Sequence, residues 1–359
     1  MNWPWLRLPV LGLAAYLAAL PLGAFAQIVQ PLDSVASRII ILPFQNLSQE
    51  PEARKAVMPR LYREVEQRGL RPVPEDSVEA ALRRFRIRDT GQLSSDHALK
   101  LSTDQGARLI LLGAIDLYSR ELLQAGLSAR LLNGPTAEIF WADSRFAAGN
   151  AVVSLLQPNP PDSLELLMQE VLQDLLLSFE QAWRKHQSNP GGTFSPDAPR
   201  ARVFIIPWEN STGSLSADQI VNHVAMSVLY QQGFGVIEPG LINEQTRSRG
   251  LMPKGQLNAA TLKELADRFA AAYCLTGTLI QNDVAAYSEN GNLPVIELNL
   301  RLIDARSARQ IGSDHIFGSG ADYIKIFQWG AIRSPGQLLE RLLRRSLTTM
   351  SRLMTMQNN

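Results

Sequence analysis

Cysteine is almost absent. Cys274 is the single one among 359 residues, so no disulfide can close within the chain. It lies in the apolar run AAYCLTG, where a buried small hydrophobe is the expectation rather than a nucleophile. Histidine is nearly as scarce. His97, His186, His223 and His315 stand far apart, with no His, Cys or Asp companions at ligand spacing, so no metal site is expected. Phosphate-binding signatures are missing too. There is no GxxxxGK(S/T), and FGSGAD at Phe317 lacks the third glycine and the following acidic residue of a dinucleotide loop. No GxSxG elbow occurs. These absences leave no catalytic residue, cofactor or metal to expect. An excess of one charge is also lacking, with 35 basic against 34 acidic residues, so no global field favours nucleic acid or an anionic membrane surface.

Long apolar runs are confined to the N-terminus. Residues 1–26 carry one basic residue, Arg7, then an apolar run from Leu8 to Leu22, then GAFA before Gln27. That is the layout of a cleavable signal peptide, with Ala24 and Ala26 as the small residues at the cleavage site. The run is shorter than the ~20 residues of a membrane helix, which disfavours an uncleaved anchor. Gln27 stands where a bacterial lipoprotein would carry its modified cysteine. The expectation is a periplasmic protein with no lipid anchor and no transmembrane segment after cleavage.

The rest of the chain is written twice. RIIILPFQNLSQ from Arg38 returns 164 residues later as RVFIIPWENSTG from Arg202, and the same offset runs on to Ile115 and Leu279. Pro43, Asn46, Gly69, Gly113 and others meet identical residues. The offset then becomes 171, pairing ARLLNGPTAEIFWADSRFAAG with LRLIDARSARQIGSDHIFGSG. Two sustained offsets indicate a tandem repeat. The domains expected are 38–186 and 202–355, joined by a linker over 187–201 that is rich in proline, glycine and serine.

Each copy reads as the same series. RIIILPF and RVFIIPW are β-branched apolar runs closed by proline, as for a strand covered on both faces. A helix follows and stops at Gly69 or Gly233, with Pro59 expected to bend the first one or delay its start. Short strands LRPV and FGVI, further helices, and the interior strands ARLILLGAI and AYCLTGTLI come next. Gly113 and Gly277 in the latter imply a bulge or a close backbone approach. An alternating pair of strands around GPT or ARS predicts an antiparallel hairpin, and an amphipathic helix capped by Ser163 or Ser334 closes each copy. The fold class expected is α/β, two tandem mixed-sheet, three-layer domains.

The motifs ILPFQNLS, GARLILLGAI and ARLLNGPTAEIFWADSR, with IIPWENST, YCLTGTLI and LRLIDARSARQIG in the second copy, resemble the periplasmic family that includes the N-terminal domain of TolB, the curli secretion protein CsgG and the cell-wall synthase activator LpoB. The resemblance implies a non-enzymatic α/β domain used in assembling envelope machinery, flagellar, secretory or cell-wall related. Partners implied are envelope proteins, with self-association a further option. The absent cysteine departs from the lipoprotein members, no propeller follows as in TolB, and the hairpins are too short and charged for a secretion pore.

Candidate partner-binding positions follow from two features. The closing helix of the first copy carries Glu165, Glu170, Asp174 and Glu180, and that of the second carries Arg341, Arg344, Arg345 and Arg352. Opposite charge could steer copies or chains together, and two solvated faces account for the same pattern. Gly149 and Gly320 mark a possible cleft between the domains, where a small ligand is the alternative to a protein. Asp143 and Asp314 are equivalent hairpin carboxylates expected to be solvated or paired with arginine. Asn46 and Asn210 are expected to fix a turn after the first strand.

Overall fold

The computed structural model describes residues 38–149, 163–187, 201–251, 255, 257–285, 293–324 and 330–356. The signal-peptide and nearly all of the linker expectations therefore fall outside the described residues.

Two successive units share one order of elements. In the first, β1 (Arg38–Ile41), β2 (Gln45–Asn46), α1 (Ala53–Gln67), β3 (Arg71–Pro72), α2 (Glu75–Arg84), α3 (Ser95–Gln105), β4 (Leu109–Ser119), β5 (Gln124–Asn133), β6 (Ile139–Ala148) and α4 (Leu164–Gln187) follow in turn. In the second, β7 (Arg202–Ile205), β8 (Glu209–Asn210), α5 (Ala217–Gln231), β9 (Gly235–Val236), α6 (Pro239–Arg247), α7 (Ala259–Phe269), β10 (Tyr273–Ala285), β11 (Leu293–Asp304), β12 (Arg309–Ser319) and α8 (Pro335–Met356) repeat it. A 3₁₀ turn at Gly320–Tyr323 is the one added element among the described residues.

Each unit has a six-stranded mixed sheet, ordered β3-β1-β4-β5-β6 in the first and β9-β7-β10-β11-β12 in the second, with β2 on β4 and β8 on β10. The short β1 runs parallel to β4 and the short β7 parallel to β10, both under helices, which is why they read as continuous apolar runs. The long strands pair antiparallel, and β4 and β10 are each bulged at the same place, Asp116 and Ile280.

Local devices recur at matching positions. Ser94 and Asn258 each cap their helix by accepting the backbone N–H three residues on, and Gly106 and Ala270 end those helices in the left-handed region. Asn46 Nδ2 donates to the Glu50 carbonyl at 2.7 Å and its Oδ1 accepts from Ser48, while Asn210 Nδ2 donates to Ser214 at 2.7 Å and accepts from Thr212. The turn role expected of both asparagines is what the structure shows. Gly113 and Gly277 provide room for an aromatic ring: a Cβ on either would lie 2.3 Å from Phe44 or Trp208. The bulges sit three residues beyond them. Pro59 leaves α1 continuous, because it lies on the exposed side of a helix held by its other face.

Three cores result. One lies between the first sheet and α1 and α4, where Trp141 meets Phe179 edge-on at 5.5 Å. A second lies between the second sheet and α5 and α8. The third joins the units, since Ile40, Leu42 and Leu101 share one buried cluster with Phe204, Ile206 and Leu265.

Candidate functional site

Helix α5 of the second unit lies along β5 and β6 of the first. It is the counterpart of α1, and it is buried on both sides, which its small and polar residues allow: Gln219, His223, Ser227 and Tyr230 point away from its own sheet. His223 Nδ1 lies 3.2 Å from Asp116 Oδ1. Asp116 is freed to point there by the bulge, and its other oxygen accepts from Ser128 at 2.5 Å. Gln231 donates to Asp143 at 2.7 Å, and Tyr230 donates to the Phe140 carbonyl at 2.6 Å. Burial pushes the Tyr230 phenol up to about 12.

Beside this helix, Arg130 of β5 forms a two-pronged ion pair with Glu238, Nε to Oε2 at 2.6 Å and a terminal nitrogen to Oε1 at 2.7 Å. The Arg130 and Glu238 side chains are 4% and 0% exposed. The same Arg130 terminal nitrogen donates to the Gly91 carbonyl, and Glu238 also accepts the Leu93 N–H. Phe146 at the end of β6 enters the second unit's core against Gly336, and Gln337 donates to the Phe146 carbonyl at 2.7 Å. The interface thus holds Arg130, Glu238 and Asp116 against protein partners.

Two cavities border it. One of about 220 Å³ is lined by Asp116, Leu117, Gln124, Ile220, Leu279 and Leu339 among others. The other, also about 220 Å³, is lined by Gln45, Asp89, Gln92, Arg130, Asn222 and His223 among others. Among the described residues no three His, Cys, Asp or Glu side chains come close enough to hold a metal ion, and no helix is long and apolar enough to cross a membrane.

The face of the second sheet that matches this interface is uncovered. Phe317, the counterpart of Phe146, is 57% exposed. Asn299 and His315 on the same face of β11 and β12 are exposed as well, although their counterparts Ser128 and Ser144 are buried. Arg301 keeps half of the Arg130 arrangement: it donates to the Gly255 carbonyl at 3.0 Å, as Arg130 does to Gly91. Among the described residues no carboxylate pairs with it as Glu238 does with Arg130.

The positions singled out in the sequence are spread over the molecule. Arg344 donates to Gln231 and, at 2.6 Å, to Glu340, all in the second unit. Arg341 stacks over the Tyr323 ring at 4.4 Å. Arg345 and Arg352 are exposed along α8. The acidic helix α4 packs on β5, β6 and α1, whereas α8 packs on α5, β11 and β12. Gly149 and Gly320 secure strand ends: the Gly149 N–H donates to Leu123 and the Gly320 carbonyl accepts from Ile332. Neither glycine lines the two cavities described above. Asp143 is buried and paired with Arg145 at 2.7 Å, while Asp314 is exposed. Sequence reasoning missed Arg130, Glu238, Asp116, His223 and the exposed Phe317. The available signal was divergence at aligned positions, with Phe retained in both copies while its neighbours changed.

No family model matches the sequence, and no curated protein does. Solved structures similar to part of the chain include the PelC dodecamer from Paraburkholderia phytofirmans, 17% identical, covering 43% of this chain and 89% of that one with a TM-score of 0.29. The lipoprotein GNA1162 from Neisseria meningitidis is 17% identical over 42% of this chain and 99% of its own, TM-score 0.29. The LpoB C-terminal domain from Escherichia coli is 19% identical over 35% of this chain and 86% of its own, TM-score 0.25.

Proposed function

We propose that this chain is an exported, non-enzymatic adaptor of the bacterial cell envelope, made of two copies of one domain, that binds a protein partner on the uncovered face of β11 and β12. The observation that carries the reading is the contrast between equivalent faces. In the first unit this face is closed by a helix and a buried phenylalanine, and in the second it is open with Phe317 57% exposed. Aromatic side chains that a partner buries carry much of the energy of protein interfaces, and Phe317 is placed to be so buried. The N-terminal layout of residues 1–26 supports export. The buried Arg130–Glu238 pair between the units supports a structural role for that interface.

A photo-crosslinking residue placed at His315 in the exported protein tests this in cells. Reproducible capture of a protein at that position is expected. Capture that is equal from a control position on α4, such as Glu170, would remove the reading. A second reading, a small-ligand binder, rests on the 220 Å³ cavity beside Asp116 and Gln124, and a ligand-dependent rise in melting temperature would favour it.

A further inference from the structure

We propose that the cavity beside Asp116 and Gln124 takes a small neutral molecule, an apolar body of about one ring carrying one hydrogen-bond donor, with Gln124 as the acceptor. The inference rests on the small-ligand reading and names the chemical class such a ligand would have. The adaptor reading of the β11–β12 face stands or falls separately.

The cavity exists only where the units meet. Leu47, Leu117 and Leu122 wall it from the first unit, and Ile220, Leu279 and Leu339 from the second. Gly336 belongs to the same lining, and its lack of a side chain makes room for the Phe146 ring, since a Cβ there would lie 2.1 Å from it. An apolar cavity of roughly 150 Å³ holds benzene. At about 220 Å³ this one has room for a single ring with a short substituent.

Gln124 supplies the polar end. It is 5% exposed, and its Nε2 donates to the Arg333 carbonyl at 2.9 Å, across the junction of the units. A carbonyl only accepts, so this bond fixes the sense of the amide. Its Oε1 receives no hydrogen bond among the described residues, and Gln124 lines the cavity. Burying an acceptor without a donor is costly. Packing gives no reason for it: Val295, only partly buried, stands at the equivalent position of β11, so the copy that buries this position more deeply is the one with the polar residue. A ligand hydroxyl or amide N–H donating to Oε1 accounts for that exchange.

The walls select against charge. Among the described residues of the lining, Asp116 is the one charged side chain, and there is no lysine or arginine to meet an anion. One oxygen of Asp116 faces His223 Nδ1 and the other accepts from Ser128, so the carboxylate is engaged before a cation could reach it. An ion entering here would lose its hydration without a partner.

Four probes of similar size test this by calorimetric titration of the full chain: benzyl alcohol, toluene, benzoate and benzylammonium. Benzyl alcohol should bind at least about tenfold tighter than either ion. Gln124→Met keeps the length of the side chain without the acceptor, and it should weaken benzyl alcohol about fivefold or more relative to toluene, as for loss of one hydrogen bond. Ile220→Phe, which places a ring in the cavity, should weaken both neutral probes. An ion that binds as tightly as benzyl alcohol overturns the proposal, and so does a ratio of the two neutral affinities that Gln124→Met leaves unchanged; either way the small-ligand reading stands with a different chemistry. If Gln124→Met does not fold, the four probes on the unmodified protein decide alone. If no probe binds, or Ile220→Phe leaves binding unchanged, the small-ligand reading of this cavity falls together with the proposal.

Discussion

Replacing Arg130 with methionine strands Glu238 in the interface between the units. The carboxylate is 0% exposed and would keep only the Leu93 N–H, at 3.1 Å, of its present donors. Removing one member of a buried ion pair costs about 3–5 kcal/mol, because the other charge is left without compensation. At roughly 2–4 °C per kcal/mol for units of this size, the melting temperature should fall by about 6–20 °C. The loss falls on the contact between units, so differential scanning calorimetry should also show a single transition becoming broader or double. Adding Glu238→Gln to Arg130→Met removes the stranded charge while an amide oxygen can still accept from Leu93. That double variant should recover at least half of the loss. A single-variant cost below about 1 kcal/mol, the range of a solvated surface pair, would falsify the claim that this pair is desolvated and joins the units.

Three further outcomes are expected. Burial pushes Tyr230 up to about 12 from 10, so the folded protein holds the phenol proton more tightly than the unfolded chain; the stability it contributes is complete below pH ~10 and declines towards pH ~12. Tyr230→Phe should reduce the alkaline decline, leaving the part due to the raised Tyr62 and Cys274, and cost about 1 kcal/mol at neutral pH, and an unchanged alkaline unfolding profile would count against it. Ala270 ends α7 at φ 49°, where the equivalent Gly106 has φ 58°; Ala270→Gly should raise stability by about 0.5–1 kcal/mol in urea titration, and a loss would show that its methyl packs usefully. Burial raises the Cys274 thiol well above its usual range, with Arg301 opposing slightly, so a thiol reagent should label it only on unfolding, and labelling of the folded protein at the rate of a free thiol would contradict its placement.

Much of the fold was legible because each element announces itself locally and does so twice. The proline-closed strands, Gly69 and Gly233 with φ of 81° and 85°, the hairpin turns and the amphipathic closing helices all lie where the sequence places them. Buried Cys274, Phe44 and Trp208 were equally readable from their apolar surroundings. Pro59 was the exception, since a proline on the exposed stripe of a well-packed helix costs a hydrogen bond without displacing the helix. The site was much less legible. Asp116, Ser128 and Arg130 in β4 and β5 look like ordinary outward polar residues, and only the docking of α5 and of Glu238 just before α6, 107 and 108 residues further along, buries them. Charge counting on α4 and α8 drew attention to side chains such as Glu180 and Arg344, which pair within their own unit. The informative positions were those where one copy keeps a residue, Phe146 and Phe317, yet its surroundings differ.

The buried cluster that runs from Ile40 and Leu42 to Phe204 and Ile206 bears on how the molecule can be dissected. A chain cut at 187–201 would leave each piece with an apolar wall facing water where the other piece had been. Swapping, deleting or separately producing either half would then yield a sticky fragment instead of a smaller working module, so function is better mapped by point changes on the outer surface than by truncation.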